Sequence, residues 1–222
     1  MSCTLHRANV VAILKREHQA ARTLRDAYRA KQKAEGEFLT HEHDFRTSEL
    51  HLTQYLSVGP ATGRFLYACA RSINAQNIVE FGSSFGISTL YLAAAAADTG
   101  GHVTGSEYHA SKAAKANANL VDAGLSGSAH VIAGDARETL AAIRGPIDLL
   151  FLDGAKELYF DLLLMLEERL RPGALVIADN ADMLPEEAGF LLHVGEGSDR
   201  YVTSLIGFYR GLVSLSVVLP QG

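Results

Sequence analysis

The sequence predicts an α/β protein: a doubly wound, seven-stranded sheet whose last strand runs antiparallel, with additional helices at the N-terminus. Three observations carry this expectation. Between residues 77 and 180, short apolar runs alternate five times with helix-patterned segments. The central runs, IDLLFLD above all, are continuously apolar rather than alternating, as strands are when helices cover both faces. The segment YVTSLIGFYRGLVSLSVVL (201–219) then splits near Gly211 into two strand-like runs, an antiparallel hairpin that finishes the sheet.

The elements follow in chain order. HRANVVAILKREHQAARTLRDAYRAKQKAEGE is rich in helix formers and lacks Pro, and Val10, Leu14, Ala21, Leu24 and Tyr28 give it a partial helical stripe that ends near Gly36. It reads as one or two helices that cover the main domain or contact a second subunit. HEHDF (41–45) reads as a polar loop, although His41 and His43 are conceivable metal ligands. A short helix at roughly 47–57 precedes PATGRFLYACARSI (60–73), where Pro60 suits a first helical turn and Phe65, Leu66, Cys69 and Ile73 share one side. Strands are expected at 77–82, 102–107, 128–134, 147–153 and 174–180. Helices are expected at 87–97, at 111–124 with a glycine stop, at 135–143 with Asp135 at its start, and at 157–170 with Arg-Pro-Gly as its end. A further short helix is expected around 184–193. YLAAAAA is apolar but short, with Asp98 close behind, so it reads as a buried helix and not a membrane span.

Bulk properties narrow the function. A chain of 222 residues, 48% of them hydrophobic, suits one domain with decorations and a sizeable core. The net charge of -5 and the lack of a dense Lys/Arg run argue against a general binder of nucleic acid or of anionic membranes. Cys3 and Cys69 form neither a metal-spaced pair nor a disulfide framework, which fits a reducing, cytoplasmic setting. The N-terminus shows no basic-then-apolar signal pattern.

Two stretches carry candidate chemistry. EFGSSFG places Glu80, Gly82 and Gly86 at the first strand–helix junction, where small residues let a ligand approach the backbone. The spacing is not that of a nicotinamide dinucleotide fingerprint. A closed, ligand-free turn remains the alternative. Glu107 ends the second strand 21 residues after Gly86, where an acid grips ribose hydroxyls in doubly wound sheets or is simply a charged strand end. Together they point to a nucleoside-containing cofactor that need not carry a pyrophosphate. Asp153 and Asp179, 26 residues apart with one helix between them, end neighbouring parallel strands, and Asn180 adds an amide oxygen. Such a hard, oxygen-rich set suits Mg²⁺; the alternative is turn and cap chemistry. Lys156 shares the Asp153 loop and is either a solvated surface lysine or a base whose pKa a nearby cation lowers.

With these residues in place, the chain from about Ser57 to its C-terminus resembles the cation-dependent S-adenosylmethionine O-methyltransferases of the catechol and caffeoyl-CoA type. SVGPATGRFL is similar to the family's segment before the first strand, and VEFGSSFGISTLYLA to its cofactor motif. The resemblance implies a Rossmann-like methyltransferase domain at 57–222 and an N-terminal helical extension at 1–56, a cap or a dimer arm. It implies S-adenosylmethionine and Mg²⁺ or another divalent cation as cofactors. Val58, Glu80, Gly82, Ser83 and Ser88 would border the methionine end, Glu107 the ribose, and Tyr108, Asp135 and Ala136 the adenine. Asp153, which also borders the cofactor, would ligate the metal with Asp179 and Asn180. Lys156 would be the general base, with Tyr159 matching a tyrosine common three residues later. Gly154 and Ala155 stand where the animal catechol enzymes carry His-Trp, and no residue matches their late catechol-contacting glutamate.

The implied reaction moves a methyl group to a hydroxyl of a small aromatic vicinal diol, with the protein a homodimer that binds neither nucleic acid nor membrane. Tyr28, Phe38, Phe45 and Tyr55 are candidates for aromatic walls or for core packing. Two rival readings are a metal-independent methyltransferase acting on another O, N or C nucleophile, and a non-enzymatic assembly protein.

Overall fold

The computed structural model describes residues 3–35, 44–184, 189–209 and 211–220. Strands β1 (Asn77–Phe81), β2 (His102–Glu107), β3 (Ala129–Ala133), β4 (Ile147–Leu152), β5 (Leu170–Ala178), β6 (Tyr201–Phe208) and β7 (Gly211–Val218) form one sheet. Its order is β3-β2-β1-β4-β5-β7-β6. The first five strands are parallel, and β7 runs antiparallel to both β5 and β6. The expected hairpin is present, but its second strand slots between β5 and β6. That leaves β6, with Val202 and Leu205 more than half exposed, on the sheet edge.

Helices α1 (Ala8–Glu35), α2 (Glu49–Thr53), α3 (Pro60–Ser72), α4 (Ile87–Thr99), α5 (Ala110–Asp122), α6 (Ala136–Thr139), α7 (Tyr159–Leu166) and α8 (Gly189–Val194) surround the sheet. The apolar strands serve two cores at once, because successive side chains point to opposite faces. Ile78, Leu149, Phe151, Leu175 and Ile177 pack with α3, α4 and α5. Val79, Leu150, Leu152, Val176 and Ala178 pack with α7 and α8. The alanine-rich α4 is buried over ten consecutive residues, Ile87–Ala96, its short side chains allowing close packing on every side. Among the described residues no helix is long and apolar enough to cross a membrane.

Several expected boundaries move. α1 is a single helix, and its stripe buries Val10, Leu14 and Ala21 but leaves Leu24 39% exposed. Residues 4–6 form a short 3-10 turn tied down by Asp98, which accepts from the Thr4 N–H (3.1 Å) and from the Tyr67 hydroxyl (2.6 Å). Of HEHDF, residues 41–43 lie outside the described set, while Asp44 accepts from the Arg46 N–H in a turn. The helix expected around 184–193 is described only from Gly189, and Phe38 is not described.

The helix expected at 135–143 is only one turn long, and the Ala141 carbonyl accepts from the Arg169 guanidinium (3.1 Å) instead of a helical N–H. The helix expected at 157–170 is α7 between two 3-10 turns, and β5 already begins at Leu170. Arg171-Pro172-Gly173 is therefore no turn between elements. It lies within β5 where the pairing with β4 shifts register, a place in a sheet that accepts proline.

The Arg171 guanidinium reaches from that irregularity to Asp148, whose other oxygen accepts from the N–H groups of Gln76 and Asn77 (2.8 Å each). Burial raises the Asp148 pKa, but the hydrogen bonds from Arg171, Asn77 and Gln76 outweigh it and hold the carboxyl below its ordinary value. A depressed carboxylate contributes stability above its unfolded pKa, lost as pH falls through the folded one. Asp148→Asn should cost about 2 kcal/mol at pH 7. In urea titrations the gap between variant and wild type should close as the pH drops below the carboxylate range.

Candidate active site

The sheet order reverses between β1 and β4, so the loops that leave their carboxyl ends diverge and open a crevice, the usual ligand position in such sheets. A cleft of about 1330 Å³ occupies it. Gly82 and Asp153 begin the two loops. Asp153 N–H donates to the Phe81 carbonyl (2.8 Å), and Asp179 N–H to the Leu152 carbonyl (2.9 Å), so each acid is the first residue beyond its neighbour's strand end. Asp153 and Asp179 thus follow the strands instead of belonging to them: β4 ends at Leu152 and β5 at Ala178, one and two residues before the expected ends at 153 and 180. Gly82 has φ +88°, and a Cβ on it would sit 2.5 Å from the Gly154 nitrogen. Only glycine lets the loops cross this closely.

The β1 loop folds onto β2. Ser106 O accepts from the N–H groups of Gly82 (2.9 Å) and Ser83 (3.1 Å). Glu107 accepts from the N–H of Ser84 (2.8 Å) on one carboxylate oxygen and of His109 (2.9 Å) on the other, which keeps lone pairs free toward the cleft. Glu80 lies beneath, fully buried, with one oxygen taking the hydroxyls of Ser83 (2.6 Å) and Thr89 (2.5 Å). Its other oxygen has no hydrogen-bond partner among the described residues. Burial pushes the Glu80 pKa up, and the Ser83 hydroxyl is the first of the groups that oppose it.

Across the crevice, Lys156 stands 3.8 Å from Asp153 and donates to the Tyr159 hydroxyl (2.5 Å), which donates to the Asp179 carbonyl (3.2 Å). Burial pushes Asp153 well above the usual carboxylate range, and the negative charge of Asp179 pushes the same way. Burial lowers Lys156, against the pull of Asp153 and Asp179. Tyr159 is raised by burial first and then by the same two acids. Asn180 adopts a left-handed backbone (φ 54°), which asparagine tolerates, and caps a short 3-10 turn. Among the described residues no group of three or more His, Cys, Asp and Glu gathers around a metal-sized space.

Of the residues singled out in the sequence, Val58, Gly82, Glu107, Tyr108, Asp135, Ala136, Asp153, Lys156, Asp179 and Asn180 line this one cleft. Glu80, Ser83 and Ser88 do not; they are buried behind its floor. Asp135 caps α6 through the Arg137 N–H and pairs with the Arg137 guanidinium (2.6 Å), so its carboxylate has protein partners. Tyr108 stands edge-on to Phe45 at 5.3 Å. Phe45 and Tyr55 reach the cleft wall, while Tyr28 does not line it.

The sequence reading missed Lys112. It lines the cleft yet is 2% exposed. Its signal was its place in the buried stripe of α5, formed by Lys112, Ala113, Ala116, Asn119 and Leu120. Arg25, Asp26 and Arg29 of α1 also line the cleft.

Comparisons with known proteins agree with this architecture. A family profile described as a methyltransferase domain matches residues 79–181. A catechol O-methyltransferase of Mycobacterium tuberculosis is 35% identical over 167 residues, 73% of this chain and 74% of that protein. A catechol O-methyltransferase of Niastella koreensis is 35% identical over 129 residues, 56% of this chain and 58% of that protein, so this alignment spans less than two thirds of its length. A cofactor-bound Mycobacterium tuberculosis crystal structure superposes with a TM-score of 0.66 at 27% identity, covering 74% of this chain and 83% of that one. The chain belongs to the S-adenosylmethionine-dependent O-methyltransferases related to the catechol and caffeoyl-CoA enzymes.

The crossing of the two loops has a direct test. Gly82→Ala forces a Cβ into backbone and strains φ, and should destabilise the protein by about 3 kcal/mol or more. A wild-type denaturation midpoint for this variant would show that the loops do not touch there.

Proposed function

We propose that the chain transfers a methyl group from S-adenosylmethionine to a hydroxyl of a small acceptor, an aromatic vicinal diol in the simplest case, with the help of a divalent cation such as Mg²⁺. The observation that carries this reading is the convergence of Asp153, Lys156, Asp179 and Asn180 on one side of a switch-point cleft whose other side carries Glu107. The names of the two bacterial relatives support the acceptor class.

The residues present fit both groups. In our reading Glu107 accepts the ribose hydroxyls, for which its free lone pairs are placed, and Val58, Gly82, Tyr108, Asp135, Ala136 and Asp153 border the cofactor. Glu80, with Ser83 and Ser88 around it, supports the loop from behind the cleft floor. Asp153, Asp179 and Asn180 make a hard-oxygen set for a cation, which would relieve the repulsion that raises Asp153. Acceptor oxygens and water complete such a set without a third carboxylate. When bound, the sulfonium cofactor supplies an electrophilic methyl group. A bound cation lowers the pKa of a coordinated hydroxyl.

The chain's own work is alignment and proton removal. Lys156, lowered by burial, takes the acceptor proton at Nζ, and Tyr159 holds that nitrogen in place through its hydroxyl and ring (4.6 Å). The crossing of the Gly82 and Asp153 loops fixes the distance between the cofactor side and the acceptor side, the source of proximity catalysis. Arg25, Asp26 and Arg29 on the cleft favour reading residues 1–56 as a wall of the acceptor pocket.

Protein, S-adenosylmethionine, Mg²⁺ and a catechol panel should yield methylated product by mass spectrometry, and a chelator should stop it until Mg²⁺ is restored. Product that ignores the chelator would overturn the cation and favour metal-independent transfer. Lys156→Met should lower kcat by about 10²- to 10⁴-fold. Calorimetric binding of S-adenosylhomocysteine to that variant separates lost chemistry from lost cofactor.

A further inference from the structure

Lys112 is a buried charge on the cleft that this mechanism leaves idle. Its ammonium carries three N–H donors, and among the described residues it makes one hydrogen bond, to the Gln54 carbonyl at 2.9 Å. It lies 5.0 Å from the Phe85 ring. Among the described residues no carboxylate pairs with it, although the charge of Glu107 acts on it. A nearly sealed ammonium with two unused donors is costly in a protein, because burial disfavours an unpaired charge. Burial accordingly pushes its pKa down to about 8, against the pull of Glu107. Lys112 and Glu107 line the same cleft, and the loop joins them: Ser84 gives its N–H to Glu107, and the next residue, Phe85, faces the ammonium.

We propose that Lys112 is a cofactor-binding residue whose ammonium donates to the ribose hydroxyl oxygens while Glu107 accepts the protons of the same hydroxyls. A vicinal diol offers both donors and acceptors, and a carboxylate beside an ammonium answers both. The inference rests on the methyltransferase reading of the cleft. It adds a second group to the ribose site, and one that also anchors the 54–58 segment. Gln54 holds Lys112, while the neighbouring Tyr55 ring stacks at 4.3 Å on Phe85 and its hydroxyl donates to Glu17 of α1 (2.6 Å). The ribose would therefore be read at a point where α1, α5 and the glycine loop meet.

Isothermal titration of two ligands tests this. S-adenosylhomocysteine carries ribose and amino-acid carboxylate; 5′-methylthioadenosine keeps the ribose and lacks the carboxylate. Lys112→Met should weaken both by a similar factor, about tenfold or more for a lost charged hydrogen bond. Lys112→Gln, whose amide still has donors for the Gln54 carbonyl, should weaken both while keeping the wild-type melting temperature. Weakening of S-adenosylhomocysteine alone would move the contact to the carboxylate and overturn the ribose assignment. Binding of both ligands within twofold of wild type, by whichever variant keeps the wild-type circular dichroism, would also overturn it. Failure of the wild-type protein to bind either ligand would instead bring down the reading of the cleft itself.

Discussion

The site depends on one contact between backbones, the crossing of Gly82 over Asp153 and Gly154. Nothing larger than a hydrogen fits on the Gly82 α-carbon, and its positive φ turns the chain away from the strand at the point where the β4 loop passes. Around this contact the β1 loop is free to bend toward Ser106 and Glu107, and the β4 loop toward Lys156 and Tyr159. A topological switch point gives only an opening. The crossing gives that opening a floor, and fixes how far the Glu107 side lies from the Asp153 and Asp179 side.

Charge is then placed where solvent cannot screen it. Asp153, Lys156 and Tyr159 shift in the directions that burial dictates; Asp179 pushes Asp153 further up, and Asp153 and Asp179 together hold Lys156 back and push Tyr159 further. Such mutual perturbation at a sheet edge is common to catalytic and to structural clusters, so the geometry has to decide between them. Here the hydroxyl of Tyr159 links the lysine to the Asp179 backbone, which ties the Lys156 ammonium to the same strand end as the second acid. A lysine held only by solvent would have no such fixed position.

The N-terminal helix is bound into this arrangement by a buried acid. Glu17, 1% exposed, collects Arg16 (2.8 Å), the Tyr55 hydroxyl (2.6 Å) and, more distantly, Lys115 (3.6 Å). Burial raises its pKa, but these partners outweigh it and hold the carboxyl low. Removing one partner of such a buried group leaves the rest uncompensated, so α1, the 54–58 segment and α5 are coupled. α1 is therefore packed into the cleft wall, where sequence pattern alone left it a polar helix that covers the domain or contacts a second subunit.

The sequence by itself determined the parallel sheet and the carboxyl ends of its strands to within one or two residues, because continuous apolar runs and small-residue loops are local signals of elements buried on both faces. It also brought Glu107, Asp153, Asp179 and Asn180 to one edge, since one helix between successive parallel strands leaves no other place for them. Tertiary structure decided what local pattern does not encode. It set β7 between β5 and β6, drew Arg171-Pro172-Gly173 into a strand to meet Asp148, and put Glu80 behind the floor instead of on the cleft. It also buried Lys112. That lysine falls on the apolar stripe of α5, but its depth is set only when α5 is laid against Phe85 and the Gln54 segment. The physical reason is the same in each case: period and propensity fix which face of an element is apolar, but the depth of a polar side chain depends on what the rest of the chain stacks against it.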